Sequence, residues 1–285
     1  MAEKIVAEGV EAHLGERMLS VRPLGGCIGE VYLAELEEGT PLVAKVDRAG
    51  ESHLMREAYM LRYLREKSDL PVPEVYHASE TLLLMEFVEE SSRFSKKAQH
   101  HAAELLAALH EITSATYGHE RDTLIGSLSQ PNPPTESWTE FFREHRLLYM
   151  ANVANEAGRL PAEDLLRVER LSEKLDELIE DPNPPALIHG DVWSANVLAR
   201  GDRITAFLDP AIYYADPEIE LAFISLFDSF SNTFLERYAE IRGIDKAFFQ
   251  TRRDLYNLYP LLVHTYYFGG GYLNSVRNTL DRFGI

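Results

Sequence analysis

The chain has 285 residues, with 46 Asp plus Glu against 28 Lys plus Arg and a formal net charge of −18. That charge excludes broad binding to nucleic acid or to an anionic membrane, because both need a basic face that releases counterions. At 45% hydrophobic and 26% charged, the composition is that of an ordinary folded protein of one to two domains with a substantial core.

Cys27 is the sole cysteine, so an internal disulfide and a cysteine-based zinc site are both out of reach, and a reduced, cytoplasmic setting is expected. The N-terminus carries acids and no long apolar stretch, which does not read as a signal peptide. Apolar runs such as 221–227 are too short and too interrupted to span a membrane.

In chain order, residues 19–24, 31–36 and 42–46 read as strands. The first two are separated by the glycine loop Gly25-Gly26-Cys27-Ile28-Gly29, the next two by the turn 37–40. Residues 51–67 predict a helix, with Leu54, Ala58, Leu61 and Leu64 on one face and Pro71 and Pro73 beyond its end. Stretches 75–79 and 82–88 read as two more strands. The first part of the chain is thus expected to be a small antiparallel sheet with one helix.

From about residue 91 the pattern turns helical. Ala102, Leu105, Leu106, Leu109 and Ile112 form a stripe within 97–112, and 131–134 is a proline-rich loop. Ser137 and Glu140 have capping-box spacing and open a helix through Tyr149. Val168, Leu171, Leu175 and Leu178 predict one helix over 162–180. A β-like island interrupts: 187–188, 197–199, a turn at 201–202, and 204–208. Helical signals resume from Glu218 to the end.

The island bears the polar residues. Its first strand runs into His189-Gly190-Asp191-Val192-Trp193-Ser194-Ala195-Asn196, and its last into Asp209. A tight loop and a hairpin would bring Asp191, Asn196 and Asp209 to one end. Three oxygen donors converging there suit a hard cation such as Mg²⁺. Phosphoryl transfer needs these parts: a carboxylate that orients and deprotonates a hydroxyl, and an Asn and a second Asp that hold a phosphate-bridging metal. The preceding half supplies the rest in order. The glycine loop 25–29 is suited to lie over phosphates, and Lys45 follows Val43-Ala44 on a strand in the manner of a phosphate-binding lysine. Glu57 is its expected partner, with Glu51 as the alternative. Glu86, Phe87 and Val88 end the last strand, where a hinge would meet adenine. Each piece alone has a plain structural explanation; their order on strand, helix and loop points to a nucleotide-dependent kinase.

With these residues the sequence resembles the fructosamine kinase (ketosamine-3-kinase) family, within the protein-kinase-like, aminoglycoside-phosphotransferase-like group. The resemblance spans nearly the whole chain. It is strongest in 187–197, 208–211 and 215–222, and continues in 226–238, 117–126, 130–143, 255–264 and 268–272. Ala195 stands where the family often has Gly, and Gly29 where it often has Asn; neither change removes a metal ligand or the base.

The resemblance implies an α+β, two-lobed protein-kinase-like fold, with an N-lobe over 1–88 and a larger, mostly helical C-lobe over 89–285. It implies ATP and Mg²⁺, and a ketosamine substrate, free or on a glycated protein, phosphorylated at the sugar 3-hydroxyl so that the adduct decays and frees the amine. Asp191 would be the base, Asn196 and Asp209 the metal ligands, and Trp193 a wall for the sugar. Asp216 has two readings: the start of a helix, or a ligand for the cationic amine. Glu218 and Glu220 read as structural. Gly269-Gly270-Gly271 reads as an inter-helix turn, and the adjacent His100 and His101 as no metal pair. Cys27 in the glycine loop is expected to link two chains on oxidation, forming a homodimer. The alternatives are an aminoglycoside- or choline-type kinase and a nucleotide-binding pseudokinase.

Overall fold

Strand alternation decides what the N-terminal sheet buries on each side. The sheet contains β1 (Met18–Leu24), β2 (Glu30–Leu36), β3 (Leu42–Val46), β4 (Val75–Ala78) and β5 (Leu82–Glu86), in the order β1-β2-β3-β5-β4, with every neighbouring pair antiparallel. Leu42, Ala44, Val46, Leu82 and Leu84 point to one face and pack against Ala2, Val6 and Val10 of α1 (Ala2–Leu14). Val43, Leu83 and Met85 point to the other and meet Leu54, Ala58, Leu61 and Leu64 of α2 (His53–Lys67). Lys45 therefore faces α2. The sheet carries a helix on each side, one more than the single helix expected. The computed structural model describes residues 2–25, 30–49, 53–89, 94–179 and 182–285.

The rest is mostly helical. Helix α3 (Lys96–Leu109) is capped by Ser95, whose Oγ accepts from the Ala98 amide at 3.1 Å. A short hairpin follows, β6 (Thr123–Ile125) and β7 (Leu128–Gln130). Ser137 caps α4 (Trp138–Phe142) by accepting from the Glu140 amide at 3.2 Å. That helix continues through a π-helical turn, Arg143–Leu148, into α5 (Tyr149–Glu156), past the expected end at Tyr149. The helix expected over 162–180 breaks after Ser172, giving α6 (Ala162–Ser172) and α7 (Leu175–Leu178).

The β-island is two separate ribbons. Strands β9 (Val197–Arg200) and β10 (Arg203–Phe207) form a hairpin, whereas β8 (Ala186–Ile188) pairs with β11 (Tyr213–Ala215). Then come α8 (Glu218–Leu226), α9 (Asn232–Arg242), a π-helical turn Phe248–Arg252, α10 (Arg253–Tyr256), α11 (Leu258–Phe268) and α12 (Gly271–Arg282). Gly269 and Gly270 break α11 from α12, as expected of that turn. One apolar core runs from the α2 face of the sheet through α3, Trp138 and Phe141 to α8, α11 and α12, so both halves share it.

Candidate active site

The β8–β11 ribbon and the β9–β10 hairpin fix the loop between them. Gly190 has φ 86°, and a Cβ there would lie 2.2 Å from the Ala211 carbonyl oxygen, so only glycine fits. The Ala211 amide donates to the His189 carbonyl at 2.7 Å, and the Leu208 amide donates to the Asn196 carbonyl at 2.8 Å. These bonds clamp both ends of the loop against the chain leading to and from Asp209. Asn196 is buried and donates Nδ2 to Asp191 Oδ2 at 2.8 Å and to the Asp191 carbonyl at 3.1 Å. The amide nitrogen thus steadies the carboxylate, and Oδ1 is the atom through which Asn196 could coordinate a cation.

Asp191 is only partly exposed. Burial, together with the charge of nearby Asp209, pushes its carboxyl up to about 8, against the counter-effect of the Asn196 amide. His189 is fully buried, and burial draws it down to about 4. Its Nδ1 accepts the Asp191 amide at 3.3 Å. It is a neutral prop for the loop.

Lys45 Nζ donates to Glu57 Oε1 at 2.7 Å and to Asp209 Oδ1 at 2.5 Å. Burial opposes the charge on Lys45, but the two carboxylates outweigh it and raise its pKa above the ordinary lysine range. Burial lifts Glu57, while Lys45 holds half-exposed Asp209 below the usual carboxylate value. Asp209 has φ 52°, a left-handed backbone rare outside glycine, which aims its side chain back at the sheet. Lys45 thus joins Glu57 to Asp209, Asn196 joins Asp191, and the charge of Asp209 acts on Asp191, so the five side chains form one connected group. Oxygen donors from Asn196 and Asp209, without sulfur or imidazole, fit a hard cation. Among the described residues no group of three or more His, Cys, Asp and Glu is assembled to hold a metal by itself.

Other expectations fare differently. Gly25 stands open at the end of β1, where a Cβ would meet nothing within 4 Å. Gly26, Cys27, Ile28 and Gly29 lie outside the described residues, as does Glu51, the alternative partner of Lys45. The expected Cys27-linked dimer finds no support elsewhere in the molecule. Glu86 ends β5 with its amide donating to the Glu74 carbonyl at 2.8 Å, and Phe87 and Val88 follow just past the strand. Trp193 is half-buried on the loop, its ring 5.9 Å from that of Phe227, which sits 4.8 Å from His264. His264 and Asp191 line one pocket with apolar walls from Ile125, Phe223 and Val263.

Asp216 is a correction. It is fully buried: Oδ1 accepts from the Glu218 amide and from Asn183 Nδ2, each at 3.0 Å, and Oδ2 accepts from the Tyr256 hydroxyl at 3.0 Å. Both oxygens are taken up by internal donors, so the helix-start reading holds and the amine-ligand reading falls. Glu218 is structural too, paired with buried Arg252 at 2.6 and 2.9 Å.

Glu220 is buried, in keeping with its structural reading, and it reaches the loop that carries Asp191. Its Oε1 accepts from the Gly190 amide at 2.6 Å and its Oε2 lies 2.9 Å from His110 Nε2. It holds the Asp191 loop from α8, a contact that no local spacing announces. Phe227 and His264 were likewise unmarked in sequence, because their aromatic types read equally well as core.

A model of the fructosamine kinase family matches residues 5–284. A Synechocystis protein named "Probable ketoamine kinase" is 36% identical over 90% of this chain and 88% of its own length. A chloroplastic protein-ribulosamine 3-kinase of Oryza sativa subsp. indica is 31% identical over 91% of this chain and 77% of its own. Among solved structures, a Thermobifida fusca protein named as a candidate fructosamine-3-kinase superposes with TM-score 0.86 at 32% identity, over 97% of this chain and 98% of that one. An aminoglycoside phosphotransferase bound to ADP and hygromycin B shares the protein-kinase-like α+β fold alone, with TM-score 0.67 at 19% identity over 97% of this chain and 96% of that one.

Proposed function

Because the chain belongs to the fructosamine kinase family, it is an ATP-dependent phosphotransferase acting on a hydroxyl group, and we propose how its cleft does so. The acceptor is the sugar 3-hydroxyl of a ketosamine, of fructosamine or ribulosamine type, and the phosphate then labilises the adduct and releases the amine. The observation that carries the reading is Asp191: its carboxylate is steadied by Asn196, lines a pocket with His264, and feels the charge of Asp209, which Lys45 holds.

In this reading Asp191 orients the hydroxyl and takes its proton. Lys45, held by Glu57, contacts the nucleotide phosphates, and the glycine-rich sequence of 25–29 suits it to cover them. Phe87 and Val88 meet adenine at the junction of two lobes, 1–88 and 89–285. Asn196 and Asp209 would hold Mg²⁺, which when bound would neutralise phosphate charge. Trp193 and Phe227 take the C–H face of the sugar and its cationic amine, where aromatic faces attract a cation without a carboxylate. ATP as co-substrate agrees with a cytoplasmic setting; no helix among the described residues is long and apolar enough to cross a membrane.

The test is a panel of ribulosamines, fructosamines and aminoglycosides with ATP, with the phosphate position mapped by NMR. Phosphorylation at the ketosamine 3-hydroxyl is expected. Transfer to aminoglycosides and to no ketosamine would overturn the reading.

A further inference from the structure

We propose that Tyr59 and His119 are positioning residues that clamp α2 to the helical half of the molecule and so hold Glu57 against Lys45. This rests on the reading of Lys45 as a nucleotide ligand.

The geometry starts from helix periodicity. Two residues on an α-helix are about 200° apart, so Glu57 and Tyr59 leave α2 on nearly opposite sides. Glu57 reaches the sheet at Lys45. Tyr59 and Tyr63, one turn apart, reach the segment 117–120 and β11 instead. The helix is thus held from both sides.

The contact to Tyr59 is directional. Its hydroxyl donates to Glu120 Oε1 at 2.7 Å and lies 2.8 Å from His119 Nε2. A phenol has one proton, and Glu120 takes it, so His119 Nε2–H is the donor to the Tyr59 oxygen. His119 Nδ1 is then bare, and it is buried without a hydrogen-bond partner among the described residues. A second proton would find no acceptor, and burial accordingly draws the His119 pKa down. The Tyr63 ring meets His119 edge-on at 4.7 Å, and the Tyr63 hydroxyl lies 3.0 Å from that of Tyr214. The Arg121 guanidinium covers the Tyr59 ring at 4.6 Å.

The receiving segment is itself fixed. Gly118 exchanges two backbone bonds with Tyr214, at 2.9 and 2.8 Å. Its φ is 99°, and a Cβ there would lie 2.5 Å from the Pro133 carbonyl oxygen. Tyr214 belongs to β11, which pairs with β8, the strand that leads into Asp191. Lys45 meanwhile reaches Asp209. The contacts close a ring: Glu57, Lys45, Asp209, β11, His119, Tyr59 and back along α2. Cutting the ring at Tyr59 leaves this side of α2 held by the single Tyr63–Tyr214 hydroxyl contact and by packing, and packing fixes the distance of the helix from the sheet better than its rotation, which is what aligns Glu57.

The test uses Tyr59→Phe, which removes one oxygen. Nucleotide affinity is read by direct titration with a fluorescent ADP analogue and Mg²⁺, beside steady-state kinetics. The expected result is a rise of about five- to tenfold in nucleotide Kd and in KM for ATP, the size of one lost hydrogen bond, with the acceptor KM unchanged. On a Glu57→Gln background the same substitution should add less than about twofold, because the group it positions is gone. His119→Gln, which retains an N–H donor, should preserve affinity where His119→Phe loses it; this pair decides the matter if Tyr59→Phe fails to fold. Unchanged nucleotide affinity in Tyr59→Phe, whatever its Tm, overturns the clamp, as does a full effect on top of Glu57→Gln. A wild-type protein that binds nucleotide but phosphorylates no ketosamine counts against the proposed acceptor and leaves the clamp standing.

Discussion

Asp191, Asn196 and Asp209, and Asp216, Glu218 and Glu220, all carry side-chain oxygens, and all six lie in one short stretch of chain. Their surroundings differ. Asp216 has both carboxylate oxygens engaged by internal donors, and Glu218 is closed off by Arg252. Asp191 keeps one hydrogen-bonded oxygen and faces a pocket, and Asp209 is half-exposed. Acidity alone does not mark a site; oxygen lone pairs left facing a cleft do. Glu220 stands between the two groups, buried like its neighbours but holding the Asp191 loop by the Gly190 amide.

The largest separation of the two groups comes from Asp191→Asn. The isosteric amide cannot accept the hydroxyl proton, so kcat should fall by about 10²–10⁴ while direct nucleotide binding persists. Residual turnover within tenfold of wild type would remove Asp191 as the base. Arg252→Ala is the opposite case. It strands the buried carboxylate of Glu218, which should cost about 3–5 kcal/mol of stability in a denaturant titration, with kinetic constants retained at a temperature where the protein is folded. Asp216→Ala leaves three donors unpaired and should cost about 2–3 kcal/mol, with an unchanged acceptor KM. An acceptor KM raised tenfold in that variant would restore Asp216 to the substrate site.

What could be read from the sequence follows the same divide. Lys45, Glu57, Asp191, Asn196 and Asp209 were legible because each sits at a fixed offset within its own strand, helix or loop. Strand alternation then puts Lys45 on the α2 face without further information. The ribbon partner β11 was not legible, because a three-residue strand has no period to detect. Helix α1 was hidden because Glu3, Lys4, Glu8, Gly9 and Glu11 interrupt its apolar pattern, although Ala2, Val6 and Val10 hold a helical spacing. Asp216 was ambiguous in principle, since capping a helix and binding an amine call for the same side chain. Tyr59 and His119 are far apart in the chain, and only the fold brings them together.

A smaller effect is expected at Glu220, where the two groups meet. Glu220→Gln keeps an acceptor for the Gly190 amide but loses its charge and sets an N–H against His110. Since a charge-assisted hydrogen bond is worth about 1.5–3 kcal/mol and tenfold in rate is about 1.4 kcal/mol, kcat should drop by about tenfold. Nucleotide affinity should remain, and an unchanged kcat would return Glu220 to a purely structural role.

The smallest effect lies in pH dependence, and its sign differs between rate and stability. Burial and the charge of Asp209 hold the Asp191 carboxyl at about 8 in the free enzyme, and the base acts only when ionised. Activity as kcat/KM should therefore rise with pH through about 8 and be lost below it, with the limb for kcat lying lower once a bound cation favours the carboxylate. Stability runs the other way. Between the ordinary value of 3.8 and about 8 the folded state holds a proton that the unfolded chain releases, so this group makes the protein less stable as pH climbs through that window. Asp191→Asn cannot release the proton, and its Tm should exceed that of wild type near pH 8 and converge with it toward pH 4. Two Tm curves that stay parallel across that range would mean that Asp191 ionises at its ordinary value, and the base would then need another source for its proton affinity.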